Sequence, residues 1–383
     1  DSSTSRGLGD VYKRQIPYTA SGFAACGKLF HSLFGIDYHV AMIICAVIIV
    51  AYTALGGFLA ASTTDLIQSI VMTIALVVVL GYGTSQAGGV DAVMDNAKSL
   101  AGYLSLTSTH DVVGNVAKPY GIITIISTLA WGLGYFGMPH ILLRFMATED
   151  EEKLTLSRRI ATVWVVISMA ISIIIGMVGL GMSKAGVIDT LAGSESETII
   201  VRISHVLSSH GVFAAAIAGV ILAGILAATM STSDSQLLAA SSSVSQNILT
   251  DFFHKKMSQK QSVIVARATV IVISLISIFL AWDQNSSVFQ IVSFAWAGFG
   301  AAFGPTMLLA LFWKRSNRNG ALAGMIAGGA MVFIWKYLLR PIGGYFDIYE
   351  LLPAFILALL VNVLVSLLTK EPSKEVIEEF ENI

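Results

Sequence analysis

The chain has 383 residues, of which 55% are hydrophobic and only 12% are charged. Soluble domains carry about 25% charged residues, so this composition disfavours a soluble enzyme with a large core. Together with a mean hydropathy of +0.77, it indicates a polytopic membrane protein. The net charge of −1 gives no reason to expect a nucleic-acid partner.

Cysteine and histidine usage indicates neither a disulfide framework nor a catalytic metal. The two cysteines, Cys26 and Cys45, both lie in apolar surroundings, where we expect them to be buried as small hydrophobic residues. The seven histidines are scattered and show no ligand spacing. We expect no organic cofactor and no enzymatic activity.

The chain begins with a segment unlike the rest. Residues 1–15 are polar and precede the apolar sequence abruptly, so we interpret them as a non-native sequencing scar, with a native cytoplasmic tail as the alternative. Residues 16–370 are predicted to form one transmembrane transporter domain, and residues 371–383 a charged cytoplasmic tail.

Residues 16–33 resemble the end of a membrane helix. The segments that follow are long enough to cross about 30 Å of hydrocarbon at 1.5 Å per residue. Nine full spans are predicted, near 39–56, 65–85, 120–138, 160–182, 212–248, 263–281, 288–312, 320–339 and 350–369. The connecting segments 86–119 and 183–211 are longer and are expected to contain short surface helices.

Positive charge predicts the orientation of these spans. Lys and Arg concentrate in the segments 139–159, 249–267 and 313–319 and in the tail, which all fall on one side of the membrane. Because cytoplasmic loops carry the excess of positive residues, this side and the C-terminus are predicted to be cytoplasmic.

The third predicted span is interrupted by helix-breaking residues. Gly132, Gly134, Gly137 and Pro139 fall close together within it. Proline removes a helical hydrogen bond and each glycine weakens the helix, so a local break is expected. Broken backbone at membrane depth is tolerated where it lines a cavity or is buried in protein, and in transporters such a break is often the substrate site.

Trp131 and Tyr135 lie four residues apart, on one helix face just before this break. They are candidates for the wall and the hydrogen-bonding group of a small-molecule pocket. The pattern fits equally well a glycine-rich packing surface with the two aromatic residues as core or interface anchors, and both interpretations stay open at this point.

The fifth predicted span has a polar turn in its apolar sequence. Ser231, Asp234 and Ser235 share one face by their spacing of three and four residues, and Thr232 and the Ala228 carbonyl lie close by. A carboxylate in hydrocarbon is costly unless it faces a partner or a watery cavity. Oxygen ligands without Cys or His suit a hard cation, and the low number of carboxylates favours Na⁺ over a divalent ion.

Several of these residues also fit a purely structural role, without a bound ion or solute. Ser and Thr in membrane helices commonly bond back to carbonyls one turn earlier, which explains the hydroxyls but not Asp234. Asp65, after Ser-Thr-Thr, is by itself better interpreted as a helix cap. Gly300 and Gly304, in GxxxG spacing, predict close helix packing.

Five segments together resemble the sodium/solute symporter family. They are GGFLAASTTDLIQ, WGLGYFGMPHILLRFMA, ILAATMSTSDSQLLAASS, SFAWAGFGAAFGP and RNGALAGMIAG. The resemblance extends from about Ile16 to the C-terminal helix and preserves the order of the segments. It implies an all-α polytopic fold with a core of two inverted five-helix repeats, and a substrate and Na⁺ near the midplane.

The resemblance also implies roles for individual residues. The positions of Tyr18, Trp131, Tyr135 and Pro139 match the family's substrate-site residues. Those of Ala228, Ser231 and Thr232 match its sodium ligands. Asp65, with Asp234 and Ser235, is implied for the second sodium or coupling site that some members carry.

The implied function is sodium-coupled import of a small solute across a bacterial plasma membrane. Proline is the first expectation; pantothenate, a sugar or another amino acid is the alternative, and a transporter-like sensor module is a third. We expect the lipid bilayer and the solute as partners, with no nucleic acid and no obligate protein partner. The first helices of the first repeat are not found in the sequence, so we expect the chain to be a portion truncated at the N-terminus.

Overall fold

The computed structural model describes residues 4–111, 114–148, 150–243, 257–285 and 287–381. Within them, the helices and strands are α1 (Thr4–Phe34), α2 (Tyr38–Gln86), α3 (Val90–Ser99), β1 (Ser108–Asp111), β2 (Val116–Pro119), α4 (Ile122–Leu129), α5 (Trp131–Gly134), α6 (Pro139–Met146), α7 (Glu151–Lys184), α8 (Ile199–Ser208), α9 (Val212–Ser242), α10 (Gln259–Leu280), α11 (Val288–Phe312), α12 (Arg318–Ile334), α13 (Leu351–Leu368) and α14 (Lys374–Glu381).

The predicted spans are confirmed in number. The described residues contain eight helices long and apolar enough to cross a membrane, and nine when a bent helix pair is counted as one span. The end of the fifth predicted span, residues 244–248, lies outside the described residues, as do the positive residues Lys255 and Lys256.

Two of the eight spans come from α2. Its halves, Tyr38–Leu59 and Ala61–Gln86, are each long enough to cross the membrane. They meet at Gly57, whose backbone has φ 64° and ψ −161°. Because a side chain disfavours a positive φ, glycine is the residue that permits the kink at this point of α2. Asp65 is therefore inside the second half of α2, near its start.

The broken span is confirmed at its predicted place. Helix α4, helix α5 and a 3-10 turn at Tyr135–Gly137 lead to Met138, which is extended, with φ −83° and ψ 109°. Helix α6 restarts at Pro139 and is bent by 44° from the preceding part. Proline at the first helical position loses no hydrogen bond and has a suitable φ, so it begins α6 rather than interrupting it.

Helix α9 lies against α1, α2 and α10 in one core cluster. Phe23, Met42, Ile49, Leu237 and Ile273 are at most 4% exposed there. Lipid is as apolar as these side chains, so the cluster is stabilised by close van der Waals packing rather than by removal of apolar surface from water. Cys26 and Cys45 belong to this cluster as free, buried cysteines, as the sequence predicts.

The two long connecting segments contain short helices, as expected. Helix α3 and helix α8 pack with the ends of α2 and α7 through a cluster that includes Val93, Met182 and Ile203. The segment 86–119 also contains the antiparallel hairpin of β1 and β2, which pairs Ser108 with Pro119. The sequence did not predict this hairpin, whose two strands are the only strands among the described residues.

Helices α12 and α13 pack on α11 and are joined by a compact turn. At their other end the segment after α13 folds back, with Lys314 pairing with Glu381 at 3.1 Å and Arg315 with Glu371 at 3.4 Å. The predicted tail therefore contains helix α14. The described part of the predicted scar, residues 4–15, continues directly into the remainder of α1.

Candidate functional site

Of the three predicted sodium ligands on α9, two hydroxyl groups contact the third, the carbonyl oxygen of Ala228. The Ala228 carbonyl accepts hydrogen bonds from Ser231 Oγ and Thr232 Oγ1, each at 3.2 Å. All three residues are half-buried. Each hydroxyl donates its proton to the carbonyl, so its lone pairs stay available to a cation. The arrangement fits a partial shell of oxygen ligands on one side of α9.

Bonding back to the previous turn is not restricted to these residues. Thr229 Oγ1 donates to the Ile225 carbonyl at 3.0 Å, and Ser233 Oγ donates to the Thr229 carbonyl at 2.9 Å. The structural interpretation, in which Ser and Thr hydroxyls bond to carbonyls one turn earlier, therefore describes the hydroxyl geometry correctly. It leaves the adjacent carboxylate unexplained, because Asp234 is 0% exposed.

Asp234 receives hydrogen bonds from hydroxyl groups. Tyr52 on α2 donates to its Oδ2 at 2.9 Å, and Ser235 Oγ donates to its Oδ1 at 3.3 Å. In the described part of the chain, Asp234 takes part in no salt bridge. A buried carboxylate is stabilised when a cation or a proton compensates its charge. Tyr52 was not identified from the sequence.

Asp65 and Ser235 are brought together by Arg144 of α6. Its Nη2 lies 2.5 Å from Asp65 Oδ2 and 2.7 Å from Ser235 Oγ. A guanidinium group therefore lies between two of the residues implied for a second cation. Asp234 is adjacent but is directed at Tyr52. Asp65 lies inside α2, so the helix-cap interpretation is wrong; its carboxylate forms an ion pair between α2 and α6.

A small cavity adjoins this ion pair. Its volume is about 20 Å³, which is room for a single water-sized particle. It is lined by Phe58, Ala61, Ser62, Asp65, His140, Leu143, Arg144, Ser235 and Leu238. Asp65 Oδ1 is buried and has no hydrogen-bond partner. An unpaired acceptor beside a cavity of this size suits a bound water.

Tyr18 lies near the restart of the broken helix. Its ring is 6.0 Å from that of His140, the residue after Pro139. Gln236 Nε2 of α9 lies 2.7 Å from His140 Nδ1. Tyr18 and Pro139, both implied for the substrate site, are therefore connected to α9 through His140 and Gln236.

Trp131 lies in an aromatic cluster contributed by distant segments. Its ring stacks at 5.4 Å on Phe289 and at 5.7 Å on Trp296, both of α11, and at 5.7 Å on Tyr349 before α13. Its carbonyl accepts a hydrogen bond from Trp296 Nε1 at 3.0 Å. Tyr135 contacts the edge of Trp296 at 4.8 Å and is 55% exposed. Tyr135 is therefore more than half exposed, whereas Trp131 is held by three neighbouring aromatic rings.

The glycines of the broken span pack directly against α11. A Cβ atom added to Gly134 would lie 1.9 Å from Trp296 Nε1, and one added to Gly137 would lie 2.4 Å from the Phe299 carbonyl oxygen. From the α11 side, a Cβ on Gly300 would lie 2.7 Å from the Gly134 Cα. The predicted close packing at Gly300 is confirmed. The glycines of this segment therefore form a packing surface against α11, as one of the two interpretations expects, while Tyr135 stays exposed.

A second ion-pair cluster ties the segment 185–211 to the bundle. Glu197 accepts hydrogen bonds from Lys28 Nζ at 3.1 Å, from Ser287 Oγ at 2.8 Å and from the Phe289 N–H at 3.3 Å. Partial burial raises the pKa of Glu197, but the hydrogen bonds from Ser287, Lys28 and Phe289 outweigh it and leave this pKa below its ordinary value. The carboxylate thus caps the N-terminus of α11 and pairs with α1.

Four site residues were not identified from the sequence: Tyr52, His140, Arg144 and Gln236. Arg144 belongs to the positive segment 139–159, which predicts orientation but gives no sign of its contacts with Asp65 and Ser235. His140 and Gln236 are adjacent to predicted site residues. Tyr52 gave no local signal, since a tyrosine in an apolar helix is common.

Comparison with known proteins gives matches over most of the chain. A family profile described as "Sodium:solute symporter family" matches residues 15–328. The "Osmoregulated proline transporter OpuE" of Bacillus subtilis (strain 168) is 40% identical over 358 residues, which is 93% of this chain and 69% of that protein. The "High-affinity proline transporter PutP" of the same strain is 39% identical over 368 residues, covering 95% of this chain and 72% of its own length.

Two further matches are also described as sodium-coupled symporters. A "Sodium/proline symporter" of Staphylococcus aureus is 38% identical over 366 residues, covering 93% of this chain and 67% of that protein. A solved structure of a Na⁺-coupled sialic acid symporter, in a substrate-bound outward-open state, has a TM-score of 0.70 with 18% identity. It covers 97% of this chain and 75% of that chain. At this identity the similarity establishes the fold, which confirms the symporter-type architecture expected from the sequence.

Proposed function

Because the chain belongs to the sodium:solute symporter family, we propose that it is a sodium-coupled symporter that imports proline across the bacterial plasma membrane. The observation that carries the proposal is the pair of relatives described as proline transporters, at 39% to 40% identity over at least 93% of the chain. The mechanism requires no covalent chemistry.

In this proposal Na⁺ binds to α9 at the Ala228 carbonyl, Ser231 Oγ and Thr232 Oγ1. The convergence of these atoms within 3.2 Å supports it. Neutral oxygen donors compensate the charge of a monovalent ion while leaving the ion free to exchange. The solute binds beside the broken span, at Tyr18, Trp131, Tyr135 and Pro139.

Arg144 limits the number of sodium ions in this arrangement. Its guanidinium already contacts Asp65 and Ser235, so a second Na⁺ at those oxygens would have to displace it. We propose one Na⁺ at Ala228, Ser231 and Thr232, with Arg144 supplying the positive charge at the second position. Asp234, held by Tyr52 and Ser235, links the two positions along α9.

The direction of transport follows from coupling. If filled ion and solute sites stabilise each other, each ligand raises the affinity for the other by the same factor. Release of both ligands to the cytoplasm, where Na⁺ is scarce, then drives import. The C-terminus is proposed to lie in the cytoplasm on the basis of its Lys and Arg residues.

A competing proposal retains the mechanism and changes the solute. The test uses the whole protein in proteoliposomes with labelled proline and an inward Na⁺ gradient. We expect uptake to require the gradient and to be inhibited by unlabelled proline, but not by pantothenate or a sugar. Inhibition by one of those solutes with no proline uptake would assign another cargo, and uptake of proline indifferent to Na⁺ would reject sodium coupling.

A further inference from the structure

The turn between α12 and α13 comprises residues 335–350. It is held by its own polar contacts. Trp335 Nε1 donates to the Ile348 carbonyl at 3.1 Å, and Arg340 Nη1 pairs with Glu350 Oε2 at 2.8 Å. The Glu350 side chain is only 1% exposed, and Lys336 Nζ lies 3.8 Å from its other oxygen. The buried Glu350 carboxylate, paired with the partly exposed Arg340 and Lys336, holds the turn against the start of α13.

Tyr349 precedes Glu350 and is fixed at both ends. It is 7% exposed. Its hydroxyl group donates to the Ser293 carbonyl of α11 at 2.5 Å, and its backbone N–H donates to Ser127 Oγ of α4 at 2.9 Å. One residue of the turn is thus tied to α11 and to the first part of the broken span.

The ring of Tyr349 lies against Trp131. The two centroids are 5.7 Å apart and the planes differ by 17°, so the rings are close to parallel. Phe289 and Trp296 of α11 are the other stacking partners of Trp131. The indole is therefore held between α11 and a residue of the turn before α13.

We propose that Tyr349, fixed by the Arg340–Glu350 ion pair, is a positioning residue that holds the Trp131 indole in the orientation the solute meets. Tyr349 itself does not contact the solute. The inference deepens the proposed function, on which it relies for the role of Trp131 and the identity of the solute. It predicts that a substitution in the turn between α12 and α13 alters the affinity for the solute without altering the affinity for Na⁺.

The test compares Tyr349→Leu, Tyr349→Phe and Tyr345→Leu in the whole protein in proteoliposomes. Tyr345 is in the same turn and is 87% exposed, so its replacement is the matched control. Tyr349→Leu removes the stacked ring, and we expect the KM for proline to rise roughly 2- to 12-fold, as for loss of one aromatic pair. Tyr349→Phe retains the ring and should restore most of the affinity.

Two readouts separate positioning from a general loss of structure. The Na⁺ concentration for half-maximal uptake, at saturating proline, should be unchanged in Tyr349→Leu. In a Trp131→Phe background, Tyr349→Leu should raise KM by less than it does in the wild type, because part of its effect acts through the indole. Equal effects in both backgrounds, or a KM no different from that of Tyr345→Leu, would overturn the proposal.

A solute-free measurement keeps this inference separable from the cargo assignment. A thermal-unfolding cycle of Trp131→Phe and Tyr349→Leu reports their coupling in purified protein. If the wild type took up no proline, the cargo would be wrong, and the KM comparison would be made with the solute that the competition panel identifies. Additive unfolding effects would reject the Trp131–Tyr349 contact whatever the cargo.

Discussion

The polar turn of α9 and the broken span at residues 122–146 are the two halves of the candidate site, and they are built differently. In the α9 turn, each predicted ligand is within four residues of the carbonyl that it contacts. In the broken span, the contacts of Trp131 come from residues more than 150 positions away, at Phe289, Trp296 and Tyr349.

The difference shows which properties a membrane helix specifies locally. A hydroxyl-rich turn in lipid satisfies its donors within the helix, so residue type and spacing are enough to place its oxygens. A broken helix has freed backbone and close-approaching glycines, and its partners must come from elsewhere in the fold. We therefore expect substitutions in the α9 turn to change ion binding specifically, and substitutions in the broken span to act through packing.

The largest expected effect is on sodium dependence. Ser231→Ala and Thr232→Val each remove one of the proposed oxygen ligands with little change in side-chain volume. We expect each to raise the Na⁺ concentration for half-maximal proline uptake by about tenfold or more, since a polar contact to a charged group contributes about 1.5–3 kcal/mol. Uptake as a function of Na⁺ measures this effect.

Thr229→Val is the matched control for these substitutions. Thr229 makes the same kind of bond to the preceding turn, at 3.0 Å, but is not in the proposed ligand set. A sodium dependence that shifts equally in Thr229→Val and Thr232→Val would mean that the hydroxyls only stabilise the helix.

The broken span is tested by added volume. Gly134→Ala places a methyl group 1.9 Å from Trp296 Nε1, whereas a Cβ on Gly132 has no atom within 4 Å. We expect Gly134→Ala to lower the free energy of unfolding by about 1–3 kcal/mol through overpacking, and Gly132→Ala to be neutral or stabilising. Thermal unfolding of the purified protein measures both. Equal stability of the two variants would contradict the packing against α11.

Arg144 joins the two halves, and its removal tests the number of ions. Arg144→Met leaves Asp65, whose side chain is 12% exposed, without its cation. Because Arg144 is itself 45% exposed, we expect Arg144→Met to lower the free energy of unfolding by only about 1–2 kcal/mol. This is less than the loss expected for a fully buried ion pair. We also expect the sodium dependence of uptake to become cooperative as a second Na⁺ gains access to Asp65 and Ser235.

The double variant Asp65→Asn/Arg144→Met is the control for this prediction. It removes the stranded charge and should recover part of the stability without the cooperativity. An unchanged Hill coefficient in Arg144→Met would show that Arg144 does not substitute for a second ion.

The smallest expected effect concerns the cluster around Glu197, which supplies no proposed ligand for the ion or the solute. Its carboxylate is 25% exposed, so Glu197→Gln should cost about 0.2–1 kcal/mol of stability, and Glu195→Gln in the same segment should cost less. Because the pKa of Glu197 is below its ordinary value of 4.5, its contribution is present above pH 4.5 and is lost as the pH falls through the lowered pKa. A wild type and a Glu197→Gln variant that lose stability in parallel below that pH would contradict this assignment.

The number of spans, the position of the break and the polar turn were predictable because each has a local cause. Apolar length gives the spans, Pro139 with its neighbouring glycines gives the break, and the hydroxyls beside Asp234 give the turn. The fold of the two repeats was predictable only through the resemblance to a family, since periodicity does not say which helices pack together.

The remaining features depend on contacts between distant residues. Tyr52 becomes a partner of Asp234 only when α2 packs on α9. Gly57, one glycine among many, gives no sign in the sequence that α2 is kinked there. The aromatic environment of Trp131 depends on α11 and on the turn before α13. For each of these the sequence supplies the residue but not its neighbour.

The coupling between the two halves is tested most directly by reciprocal binding in the purified whole protein. We predict that saturating Na⁺ raises the affinity for proline by a certain factor, and that saturating proline raises the affinity for Na⁺ by the same factor. We also predict that Thr232→Val reduces both factors together while Thr229→Val leaves them unchanged. Proline affinity that is the same with and without Na⁺ would contradict the account.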